Sequence, residues 1–292
     1  MESYIGISQP QFAGWLYATA IAMGLVIGSF LNVVIVRLPR MLEREWAAAC
    51  AELQAETTAG ASAAAADAAP PYDLARPRSH CPACGHGLAW YELVPVLSWL
   101  WQRGRCRHCR ASVSVQYPLV ELACAALFAA CAWRFGATPA MPAAAALCAA
   151  LLALAVIDLR TLLLPDAITQ PLLWAGLALN LTPHGYASLE AAVIGAMAGY
   201  LVLWVIAVGF QKLVGKEGMG QGDLKLLAAL GAWFGWPALP GIILYASVAG
   251  AAVGLALLGL RRLRRDQPLP FGPFLAGAGL LALFLPAWLR LS

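Results

Sequence analysis

The sequence predicts an all-α polytopic membrane protein of about eight transmembrane helices, with a small cytoplasmic zinc-binding loop domain between helices 1 and 2. Three observations carry that prediction. The chain is 61% apolar and only 12% charged, whereas soluble domains carry roughly a quarter charged residues. Apolar runs approaching the ~20 residues of a membrane span recur along its length. Basic residues fall almost entirely in alternate connections between those runs, as the positive-inside bias requires.

Taken in order, spans are expected near residues 12–36, 117–134, 142–159, 167–182, 189–213, 224–236, 238–260 and 271–290. The first has no basic region before it and no small-residue cleavage site after it, so it reads as a span and not as a removable signal peptide. The sixth is short, yet parity supports it. Lys212, Lys216 and Lys225 precede the sixth and seventh runs, while Arg261, Arg262, Arg264 and Arg265 follow them. With the N-terminus outside, seventeen of the nineteen Lys and Arg face the cytoplasm, and only Arg134 and Arg290 do not. Both termini are therefore expected to be extracytoplasmic. The net charge of +4 says less than this placement, and no nucleic-acid partner is expected. The chain divides into a first span (1–37), a cytoplasmic loop (38–116) and a transmembrane core (117–292).

The loop opens with an alanine- and acid-rich stretch, Glu43 to Ala69, which is expected to begin as a helix and turn low-complexity from Thr57. Such composition buries too little apolar surface to order itself. Pro70, Pro71 and Pro77 then lead to Cys81-Pro-Ala-Cys84 and, after 21 residues, Cys106-Arg-His-Cys109. Each pair offers two thiolates from one tight turn, and two such turns complete a tetrahedral structural zinc site with no open position for substrate. The gap slightly exceeds the usual ~15–20 residues. Iron is the rival metal, and His86 and His108 are rival ligands. Cys50, Cys124, Cys131 and Cys148 lie in apolar or alanine-rich sequence and read as packing.

Few acids fall at membrane depth: Glu121, Asp158, Asp166, Glu190 and Asp223. An ionisable group there is expensive and hence a functional candidate. Asp223 sits in Gly218-Met-Gly220-Gln-Gly222-Asp223-Leu-Lys225, whose glycines tolerate positive φ or close backbone approach. They are expected to deliver Asp223 to the start of a helical run. The bland alternative is that Asp223 only caps that helix. Asp158 ends the third span, also on the cytoplasmic side, so the two aspartates can meet at one depth. Two close carboxylates share a proton, and such a pair can activate water while donating a hydrogen bond to a carbonyl. Asp166, after Pro165, suits a helix cap, with catalysis the lesser reading. Glu121 and Glu190 read as interfacial. Arg160 and Lys225, each two residues beyond a candidate aspartate, either tune the pair or snorkel to the interface.

No phosphate-binding glycine loop, zinc-protease motif or serine elbow is present. Gly28-Ser-Phe-Leu-Asn-Val-Val-Ile-Val-Arg-Leu-Pro39, the two cysteine pairs, Tyr117-Pro-Leu-Val-Glu-Leu122, Asp158 with Leu164-Pro-Asp166, the Gly218–Lys225 stretch and Pro270-Phe-Gly-Pro273 together resemble the bacterial type IV prepilin peptidases, of the Gly-x-Gly-Asp membrane aspartyl protease group. The resemblance implies an inner-membrane enzyme that cuts the basic leader from type IV prepilins and type II secretion pseudopilins after glycine. It further implies methylation of the new N-terminal residue with S-adenosylmethionine. Asp158 and Asp223 match the catalytic aspartates and the four cysteines match the metal-binding loop. Membrane lipid is the expected surrounding, and the oligomeric state is not legible. Two readings from other classes remain at this level: a transporter or proton relay using the same acids, and a zinc-stabilised scaffold without catalysis.

Overall fold

A computed structural model describes residues 10–57, 72–215, 219–260 and 269–285. The chain forms two compact units, one of Leu25–Ala123 and one of Met1–Gly24 with Cys124–Ser292. Gly218, Lys216, Arg261, Arg262, Arg264, Arg265, Arg290 and the low-complexity part of the insert lie outside the described residues.

All eight expected segments are helical, and no sheet forms among the described residues. Five helices have the length and composition to cross a membrane. They are α1 (Pro10–Thr57), α3 (Gln116–Phe135), α4 (Ala140–Thr161), α6 (Leu189–Val214) and α8 (Leu239–Gly259) with the turn before it. Three are shorter: α5 (Asp166–Asn180), α7 (Gln221–Phe234) and α9 (Gly272–Phe284). A five-residue helix, α2 (Leu97–Trp101), lies between the cysteine pairs.

In the first unit, α1 does not stop where its apolar run ends. It continues through Pro39 to Thr57, because Ala, Glu, Leu and Arg after residue 40 are strong helix formers. Arg37 is buried on this helix, and its guanidinium donates to the carbonyls of Asp73 (3.0 Å), Leu74 (3.3 Å) and Pro77 (2.7 Å). The Asp73 carboxylate in turn accepts from the N–H groups of Arg76 and Ala75, which hold it below the usual carboxylate range. An arginine that the sequence offers only as a topology marker thus pins the stretch leading to the cysteines.

That stretch contains a repeat too short to notice in the sequence. The Cys81 N–H donates to the His86 carbonyl and Gly85 to Cys81, while Cys106 donates to Ala111 and Arg110 to Cys106. Leu88 donates to Ser79 as Val113 donates to Gly104. Every partner is displaced by the same 25 positions, so the two cysteine turns are copies. Gly85 (φ +71°) and Arg110 (φ +60°) occupy the same left-handed position.

In the second unit α7 is the central element. Every residue from Leu226 to Phe234 is buried, as expected of a helix apolar on all sides. It packs chiefly on α6 and α5, while α9 packs on α4 and α8. The α6–α7 crossing relies on absent side chains: a Cβ on Gly195 would collide with the Gly231 carbonyl, and one on Gly199 would lie 2.7 Å from the Leu227 carbonyl oxygen. Small residues let helices approach this closely where lipid offers no hydrophobic drive. Polar groups then fasten the far end. Asn180 donates to the Ala232 carbonyl (2.7 Å) and accepts from Ala187 (3.0 Å), and the Trp233 indole donates to Leu172 (2.8 Å). Ser188 caps the start of α6, and Gly215 ends it in the left-handed conformation.

Gly195→Leu should lower the thermal unfolding midpoint in detergent by the equivalent of about 1–3 kcal/mol or more, the range for overpacking. Gly209→Leu, on the same helix with nothing within 4 Å of its would-be Cβ, should leave the midpoint unchanged or raise it slightly.

Candidate active site and metal centre

Helix direction alone brings the candidate acids to one end of the second unit. Asp158 lies in the last turn of α4, Asp166 is the first residue of α5, Asp223 and Lys225 lie in the first turns of α7, and Gly272 opens α9. Asp158 is 5% exposed and Asp223 9%, and the charge on Asp158 is close enough to be felt at Asp223.

Asp158 Oδ2 accepts a hydrogen bond from the Gly272 N–H at 2.9 Å. Asp223 Oδ1 is buried and meets no protein donor. Between them stands Leu164. A Cβ on Gly222 would lie 2.6 Å from Leu164 Cβ, and one on Gly272 would lie 3.2 Å from Leu164 Cδ1 and 2.7 Å from Asp158 Oδ2. One leucine is thus wedged between the glycine preceding one aspartate and the glycine that holds the other. The role of Pro270-Phe-Gly-Pro273 and of Leu164 was not legible beforehand, because nothing in a sequence says which N–H a distant carboxylate will meet.

The motif glycines act differently from expectation. Gly220 is the N-cap of α7 with φ −74°, and nothing lies within 4 Å of its would-be Cβ. Gly222 is inside the helix, and what it permits is the approach of a side chain and not an unusual backbone. Gly218 lies outside the described residues. The bland reading of Asp223 as a cap does not hold: it is the third residue of α7, and the N-cap has no side-chain hydrogen bond. Asp166 is not a cap either. Both its oxygens accept from Lys225 Nζ at 2.7 Å, so Lys225 joins the starts of α5 and α7. Arg160 is exposed near the end of α4.

In the first unit, the Sγ atoms of Cys81, Cys84, Cys106 and Cys109 all lie within 4.8 Å of one another, with Cys81 and Cys109 3.8 Å apart. Tetrahedral zinc with Zn–S bonds of about 2.3 Å needs sulfurs about 3.8 Å apart, so the four thiols fit that ion. The N–H groups of Cys84 and Ala83 point at the Cys81 sulfur and pull its thiol down to about 6. His86 and His108 are exposed and stack on each other with centroids 4.9 Å apart. Of the scattered cysteines, Cys124, Cys131 and Cys148 are buried as expected, but Cys50 is exposed on the extension of α1.

Glu121 departs most from its sequence reading. It is buried, not interfacial, and its Oε2 accepts from the Val96 N–H at 2.7 Å, with Ser29 of α1 as a second donor. Val96 has φ +61° and ψ −49°, and Leu97 N–H reaches back to the Pro95 carbonyl at 2.6 Å. This is the γ-turn of positive φ, which a β-branched residue adopts only when its surroundings enforce it. One turn earlier on the same interface, buried Asn32 donates to the Tyr117 carbonyl at 3.0 Å.

The first unit corresponds closely to a described family segment. Residues 22–135 match the family model of the bacterial peptidase A24 N-terminal domain, and residues 145–255 match the type IV leader peptidase family. A relative from Burkholderia pseudomallei (strain 1026b), named prepilin leader peptidase/N-methyltransferase, is 56% identical over 93% of this chain and 86% of its own length. The chain belongs to the type IV leader peptidase family. Relatives of the same name from Aeromonas hydrophila (52% identical over 92% of this chain and 91% of theirs) and Dickeya chrysanthemi (47% over 93% of each) are similar along the same span. No solved structure matches the chain.

Because Cys81 is depressed in the folded turn, its thiolate is favoured above a pH of about 6 and lost as pH falls through that value, and metal affinity follows thiolate population. Purified protein should hold one zinc at pH 7.5, release it progressively below about pH 6, and show reduced metal by elemental analysis in Cys81→Ser. Full occupancy in that variant would contradict four-thiolate ligation.

Proposed function

We propose that this chain is an inner-membrane enzyme that cleaves the basic leader from type IV prepilins and type II secretion pseudopilins after glycine, using Asp158 and Asp223. It then methylates the exposed N-terminus, usually of phenylalanine, with S-adenosylmethionine. The observation that carries the proteolytic half is the pairing of two buried carboxylates at one end of the second unit, separated by Leu164 and held by Gly272. The relatives' shared name supports both halves. Among the described residues the buried acids are Glu121, Asp158 and Asp223, too few and too clustered for a proton relay along a bundle, so the transporter reading is not favoured.

In the mechanism, one aspartate is ionised and its neighbour protonated, because two charges at that separation resist joint ionisation. The pair titrates as a unit, and neither member has a fixed role. The ionised carboxylate takes a proton from a water whose oxygen adds to the scissile carbonyl carbon, while the protonated one donates a hydrogen bond to the carbonyl oxygen. Collapse breaks the C–N bond, and the proton passes to the departing amine. The Gly272 N–H fixes the Asp158 rotamer, and the Asp166–Lys225 pair aligns the helix starts. That pair is half-exposed and contributes orientation more than stability.

A charged leader followed by an apolar helix places the scissile bond where water meets lipid. The positive-inside distribution and the alternation of α4 to α9 support eight crossings, extracytoplasmic termini and an aspartate pair facing the cytoplasm. Cys81, Cys84, Cys106 and Cys109 would hold a structural zinc that joins the two cysteine turns. S-adenosylmethionine would supply an electrophilic methyl group. For transfer, the new α-amino group must first lose its proton and then present its lone pair.

Asp158→Asn and Asp223→Asn should each lower cleavage of a purified prepilin by at least about 10²–10⁴-fold, with helical content and membrane insertion unchanged. Near-wild-type cleavage by either variant removes that residue from the mechanism. Gly272→Ala, whose Cβ would press on Asp158 Oδ2, should reduce kcat more than it changes KM.

A further inference from the structure

The first unit contains a cavity of about 710 Å³ that the aspartate pair does not use, lined among others by Tyr91, Glu92, Trp101, Arg103, Arg105 and Arg107. We infer that this cavity, between α2 and the second cysteine turn, binds the adenosyl methyl donor. The inference rests on the reading of the chain as a methylating enzyme.

The volume falls in the range of small-molecule sites, about 300–1,000 Å³, and the lining combines aromatic planes with a few converging polar groups. An adenosyl donor presents three features to a protein: a flat base, a ribose and a zwitterionic amino-acid end. Trp101, 90% exposed, and Tyr91 offer planes on which a base can stack. Arginine forks suit the carboxylate, and Glu92 suits the ribose hydroxyls or the ammonium. Arg107 ties two walls together: its Nη1 donates to the Tyr91 hydroxyl at 3.4 Å, and its guanidinium stands 5.8 Å from that ring's centroid.

The remaining wall is braced from outside the cavity. Trp99 of α2 lies against Gly104, where a Cβ would fall 2.8 Å from the indole, and donates to the Val113 carbonyl at 3.2 Å. The start of α2 is the strained Val96 turn clamped by Glu121. Strained backbone persists where the surroundings over-determine it, commonly at functional sites. Clamp, helix and cysteine turn together fix the spacing of Trp101 and Arg107.

Arginines outnumber the single acid in this lining, so an anionic lipid headgroup is the competing occupant, and the experiment carries an arm for it. S-adenosylhomocysteine is titrated calorimetrically into the zinc-loaded full chain in detergent, and separately into the chain in vesicles of neutral lipid with and without an anionic phospholipid. Trp101→Ala and Arg107→Ala should each weaken S-adenosylhomocysteine binding by roughly 5- to 100-fold, the range for loss of a stacking plane or its support, with zinc content unchanged. Trp174→Ala, an exposed tryptophan on α5, should bind as wild type. Wild-type affinity in both cavity variants overturns the assignment, as does anionic phospholipid competing S-adenosylhomocysteine out of the wild-type chain only where Arg107 is present. A wild-type chain that methylates prepilin while its cavity variants bind normally sinks this inference alone. A chain that cleaves but neither methylates nor binds the probe sinks the reading beneath it.

Discussion

A carboxylate at the end of an apolar helix needs something to hold it, and for Asp158 that is the backbone N–H of Gly272. The bond requires the start of α9 to approach α4 so closely that any side chain at residue 272 would occupy the space of the Asp158 oxygen. Leu164 then sits against both Gly272 and Gly222, and Gly222 delivers Asp223. The geometry of the pair is therefore a packing result: two glycines and a leucine set the distance across which two acids face each other. Buried acids are costly at membrane depth, and here the packing of α4, α7 and α9 confines them to one end.

Much of this was legible beforehand. Hydropathy located all eight helices, because in a lipid-facing chain every backbone group must be satisfied within its own helix. The Cys-x2-Cys pairs gave the metal site, since two sulfurs from one turn are a local property. The aspartates stood out because acids are rare in such surroundings. What could not be read depends on contacts between distant residues. Glu121 looked interfacial because it lies in the second turn of a span, and only the fold shows that its partner is Val96. Asp166 looked like a cap from its neighbour Pro165, and only the fold shows Lys225. The length of α1 could have been foreseen, because the sequence after Pro39 is rich in helix formers and a proline in a long helix need not end it. The 25-residue repeat was visible in the cysteine numbers themselves, but without Gly85 and Arg110 sharing a residue type it left no other trace.

The two units divide the chemistry. The second is an apolar bundle tightened by Gly195, Gly199 and Gly231 and closed by Asn180 and Trp233 at the end away from the acids. The first is small, rich in arginine and tryptophan, and lacks the apolar core to stand without help, as expected of a segment this size. Its order comes instead from particular bonds: Arg37 to three carbonyls, Glu121 to Val96, and the sulfur cluster.

The duplication of the cysteine turns has a consequence for how the metal joins the protein. Each turn closes its own backbone hydrogen bonds, Cys81 with His86 and Gly85, Cys106 with Ala111 and Arg110, without borrowing from the other. Each is thus a self-sufficient jaw with two sulfurs already aimed, and the ion works as a rivet between ready-made halves and not as a template around which they fold. Removing it parts the jaws but leaves each one shaped to close again.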